Sequence, residues 1–174
     1  LVFDGFDRIE SVEVWKLQGY LNPEDENVRQ VVAVADLGES PQILPPNSEV
    51  RAGIRDLPAN ARDQYQGAIR EYLRRGANLS NYLSSSGELQ QPLISDDFQI
   101  GTFRRLTADR DYDFDPVLGY LSLRQRLQDN EAVAIAYRYR AGGVTLTVGD
   151  FSTETGGGGS SQQDDRLVLK LLRP

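Results

Sequence analysis

Apolar and polar residues alternate over both flanks of this chain, and a helical period occupies its middle. From Asp7 to Leu17, Val12 and Val14 point one way and Glu13 and Trp15 the other, the period-two signature of a strand. The loop Gly19 to Asn27 separates this from Val31 to Leu37, a β-branched run that reads as a buried strand ended by Gly38. Three prolines between Glu39 and Asn47 mark an exposed loop. In Asp56 to Arg75, the residues Ala61, Tyr65, Ala68, Ile69, Tyr72 and Leu73 recur at helical spacing. Pro58 suits the first turn and Gly76 the stop, so one α-helix is predicted over residues 58–75.

Strand patterns return at Asp97. Phe98, Ile100 and Phe103 suggest one strand running to Leu106, Tyr112 and Phe114 a short one, and Tyr120 to Leu123 another after the Leu118-Gly119 turn. Glu131 to Arg140 alternates, with Val133, Ile135, Tyr137 and Tyr139 on one face and Ala132, Ala134, Ala136 and Arg138 on the other. Ala141-Gly142-Gly143 is a turn, and Val144 to Phe151 is the returning strand of a hairpin. Residues 153–165 are Gly, Ser, Thr, Gln and acids, a composition that predicts a disordered, flexible Gly/Ser-rich loop. Leu167 to Leu172 form the last strand. The expected fold is mainly β: an antiparallel β-sandwich with one inserted helix, built as a single module over residues 1–174. Within it Val12 and Val14 are expected to take the core. Trp15, on the opposite face, then needs cover, and the apolar stripe of the predicted helix is expected to supply it.

Composition narrows the chemistry. The 174 residues contain no His, Cys or Met. That removes disulfides, zinc fingers, Cys nucleophiles and Ser-His-Asp triads from this chain. A net charge of -7 opposes binding to a phosphate backbone, so nucleic acid is not an expected partner. No apolar run reaches the length of a membrane helix. The chain opens Leu1-Val2-Phe3-Asp4, without an initiator Met or a basic leader, and is expected to be a fragment of a larger protein.

Few residue groups could carry chemistry. Asp109, Asp111, Asp113 and Asp115 alternate, and several carboxylates together could hold calcium. The glycine and the distal glutamate of an EF-hand loop are missing, however. In an extended chain the four acids face water while Tyr112 and Phe114 face inward. Asp96, Asp97, Asp113 and Asp115 could supply a glycosidase pair only if the fold set their separation. Trp15 and Tyr20 could form a sugar-stacking platform, against the commoner use of a strand Trp as core. The glycine run Gly156 to Gly159 lacks the Lys-Ser or Lys-Thr of a phosphate loop. Arg74-Arg75 and Arg104-Arg105 are isolated pairs, expected to be solvated or salt-bridged. No catalytic residue, cofactor site or metal site is assigned.

A longer pattern carries a family resemblance. Tyr112-x-Phe114-x-Pro116-x-Leu118-Gly119-Tyr120-x-Ser122-Leu123-x-x-x-Leu127 precedes Glu131-Ala132-Val133-Ala134-Ile135-Ala136-Tyr137-x-Tyr139, then Val148-Gly149-Asp150-Phe151-Ser152 and Leu169-Lys170-Leu171-Leu172. Upstream stand Ile9-Glu10-Ser11-Val12-Glu13-Val14-Trp15 and Val32-Ala33-Val34-Ala35-Asp36-Leu37-Gly38-Glu39. In this order the chain resembles the repeated soluble module of the SprA/Sov family, giant cell-surface proteins of Bacteroidota tied to gliding motility and type IX secretion. The family usually has Glu where Asp150 stands, and Thr-Asn after the Trp strand where this chain has Leu17-Gln18-Gly19. The acidic stretch Asp109 to Asp115 is not a family feature.

The resemblance implies a parent that is the outer-membrane translocon of the type IX system. This segment would then be a non-catalytic module lying outside the bilayer, on the cell-surface side. It would shape the pore mouth or dock other secretion-system proteins and exported cargo. Two other classes of function compete. One is a carbohydrate-binding β-sandwich using Trp15 and the tyrosines. The other is a glycoside hydrolase fragment using paired acids.

Overall fold

The structure, a computed structural model, describes residues 8–19, 25–35, 98–141, 144–154 and 166–173. Eight strands run through them: β1 (Arg8–Leu17), β2 (Val28–Val34), β3 (Phe98–Arg105), β4 (Tyr112–Asp115), β5 (Tyr120–Leu123), β6 (Val133–Ala141), β7 (Val144–Val148) and β8 (Leu167–Arg173). The predicted helix over 58–75 and residues 155–165 of the predicted loop lie outside the described residues. The expected hairpin is present: β6 and β7 pair antiparallel from Tyr137 opposite Val148 to Ala141 opposite Val144. The strand expected over Leu167 to Leu172 joins the same sheet as β8.

The sheet order is β1-β3-β2-β8-β6-β7, and β1 pairs also with β6. Strands β1, β3, β2, β8 and β6 thus each pair with two others of this set, and the sheet closes on itself in a barrel-like ring. This differs from the expected sandwich, in which two separate sheets would stack. Nor is the sheet wholly antiparallel, because β2 and β8 run parallel, with Val31 opposite Leu167 and Val34 opposite Lys170. Strand β7 shares with β8 the far edge of β6: β8 takes its start, at Val133 to Ile135, and β7 its end.

Closure decides which residues face inward. Residues paired across strands share a face, so Trp15, opposite Ala134, and Ala33, opposite Leu169, point into the ring. The interior is filled by Trp15, Val31, Ala33, Phe103, Ala132, Ala134, Ala136, Phe151, Leu167, Leu169 and Leu171. A five-stranded ring has little room, and the alanine face of β6 leaves space for the Trp15 and Phe103 rings. This corrects the expectation for β1. Trp15 fills the ring, fully buried among barrel strands. Val14 is fully buried as expected, but it and Val12 belong to a second core cluster on the outer face of the ring.

Those outward residues are covered by a second, two-stranded sheet. β4 and β5 pair from Tyr112 opposite Leu123 to Asp115 opposite Tyr120. Tyr112, Val14 and Val133 form the buried centre of this layer, with Val12, Leu106, Phe114, Leu121, Leu123, Leu127 and Ile135 packed around it. As expected, Tyr112 and Phe114 turn inward. β1 is therefore buried on both faces, which is why Glu13, Val14, Trp15 and Lys16 are all inaccessible in succession.

Candidate functional site

A cluster of polar contacts lies where the segment after β7 crosses to β8 and β1. Gly149 has φ +76°. A Cβ there would stand 3.1 Å from the Ile135 carbonyl oxygen and 3.2 Å from Ala136 Cα and Cβ. Only glycine takes that backbone and that approach without strain. Asp150 follows. Its N–H donates to the Val168 carbonyl at 2.8 Å, and its Oδ2 accepts from the Val168 N–H at 2.9 Å. Phe151 then enters the barrel core, and the Arg138 guanidinium lies 4.9 Å from its ring centre.

Ser152 meets Glu13, a carboxylate only 5% exposed. The Ser152 N–H donates to Glu13 Oε2 at 3.0 Å and the Ser152 hydroxyl to Oε1 at 2.9 Å. Arg105 donates to the Ser152 hydroxyl at 3.2 Å and stands 3.7 Å from Glu13 Oε1. Arg138 is held between the Thr147 hydroxyl and the Glu154 carboxylate. A buried carboxylate needs such donors. Glu13 takes both the backbone and the hydroxyl of one residue, which clips the segment 149–152 against β1. The four residues Gly149 to Ser152 thus act as a latch joining β6, β8 and β1. Of the Arg104-Arg105 pair, Arg105 is salt-bridged, as its sequence suggested.

The alternating acids have separate tasks. Asp111 accepts from the Thr107 N–H at 2.8 Å and from the neighbouring Arg110. The Arg110 hydrogen bond, seconded by Thr107, lowers its pKa from the ordinary carboxylate value. Asp113 forms a two-pronged pair with Arg124, at 2.7 and 3.0 Å, which lowers its pKa too. Asp115 Oδ1 accepts from the N–H groups of Val117 at 2.9 Å and Leu118 at 3.0 Å, capping the turn between β4 and β5. Asp109 holds φ +64° at the preceding turn. Among the described residues no three acids are placed together to hold a metal ion. Asp96 and Asp97, the other half of the supposed carboxylate pair, lie outside the described residues.

Trp15 is fully buried and presents no face on which a sugar could stack. Its proposed companion Tyr20 lies outside the described residues, as do Arg74 and Arg75. A partly shielded ion pair joins the outer face of β1 to the residues just before β6: Lys16 Nζ lies 2.8 Å from Glu131 Oε1. Glu131 also accepts from the Gln128 N–H at 3.0 Å, and these bonds, led by that from Lys16, lower its pKa.

Sequence reasoning did not find Glu13. It lies between two valines and reads as a solvent-facing position. The available signal was its parity with Trp15 and Leu17, which share its face.

The class defined by this fold is a mainly β, barrel-like module whose buried polar groups brace its own strands. No protein-family model matches the chain, and no curated protein matches it.

Proposed function

We propose that the chain is a non-catalytic module of a SprA/Sov-type outer-membrane translocon, which serves type IX secretion and gliding motility. It sits outside the bilayer on the cell-surface side, where it shapes the pore mouth or docks secretion-system partners and cargo. One observation carries this reading: the strings that resemble the family are the ones that build the fold. Tyr112, Phe114, Leu121, Leu123 and Leu127 make the outer layer with Val12 and Val14. The Gly149 to Ser152 string is the latch, and Trp15, Ala134, Leu169 and Leu171 meet inside the ring. A resemblance spread over such positions is one of architecture, and an architectural match argues for a module and not for a chemistry.

The parent's sequence on both sides of this segment tests the proposal. Strands of about ten residues with an alternating lipid-facing band are expected there. Flanks that instead complete a hydrolase or a secreted lectin would sink it. In an organism carrying the parent, deletion of this segment should reduce export of cargo while leaving the parent in the outer membrane. Undiminished export would remove the docking role.

A further inference from the structure

We draw no further inference here: the strongest candidate, the exposed apolar patch that Val117, Leu118 and Tyr120 form at the turn between β4 and β5, is held in shape by the Asp115 cap, but nothing in the structure shows what covers it.

Discussion

Replacing Trp15 with alanine removes the largest side chain from the interior of the ring. Its neighbours there include Ala33, Ala132, Ala134 and Ala136, which are already small and cannot extend into the gap. The strands carrying them are paired on both sides, so inward collapse would break ladder hydrogen bonds. Loss of a buried aromatic costs about 3–5 kcal/mol, and limited collapse places this site toward the upper end. With a urea dependence of about 2 kcal/mol per molar, the unfolding midpoint should fall by about 2 M. Trp15→Phe is the informative companion. The Trp15 indole N–H is buried without an acceptor among the described residues, so phenylalanine removes a donor that has no bond to lose. Its cost should stay below about half that of alanine. Urea unfolding followed by far-ultraviolet circular dichroism measures both, with Val117→Ser as an exposed control expected to leave the midpoint unchanged. An alanine variant that unfolds at the parent midpoint would show that Trp15 does not fill the ring, and the inward assignment of β1 would be wrong.

Three further outcomes follow from the latch and the ion pairs. Gly149→Ala combines a left-handed backbone with contacts near 3.1 Å to β6, and should cost about 2–4 kcal/mol in urea unfolding. Glu13→Ala strands the Ser152 N–H and hydroxyl and should cost about 2–3 kcal/mol; in a double-mutant cycle with Ser152→Ala the two losses should fall short of additivity. For Glu131 the folded pKa lies below its ordinary value of 4.5. Its ion pair with Lys16 therefore stabilises above that value and is lost as pH falls through the lower, folded pKa. Thermal melts of Glu131→Gln should accordingly show a shallower loss of stability between neutral and strongly acidic pH than the parent, and parallel profiles would refute the coupling.

The individual strands of this fold were legible because each keeps its alternation or its β-branched run. The β6–β7 hairpin and β8 lie where their patterns and turn residues predicted. The choice of faces was not legible at β1. Val12 and Val14 pack beneath β4 and β5 while Trp15 fills the ring, so both parities are apolar and the alternation carries no direction. The two faces of β6 were separable by alternation, but nothing in the pattern said that the alanine face is the one turned into the ring. Closure itself leaves no local mark, because it is a property of which edges meet. The carboxylates of Asp111, Asp113 and Asp115 were read as facing water, and their backbone and arginine partners became visible only with the turns. The latch was visible as the string Gly149-Asp150-Phe151-Ser152, but its partners Glu13 and Val168 are remote in sequence.

The parallel pairing of β2 with β8 sets an order of events. β8 lies between β2 and β6, and Val31 meets Leu167 across most of the chain. Until β8 is in place, β2 and β6 each present an open edge of unpaired amides and carbonyls. The loop that β8 must close to reach β2 is the longest of any strand pair here, and contacts between remote segments form slowly. During synthesis β8 emerges after its two partners, so a half-closed sheet exists for as long as translation of the intervening stretch takes. In that interval the chain is adhesive toward other strands, including those of its own copies.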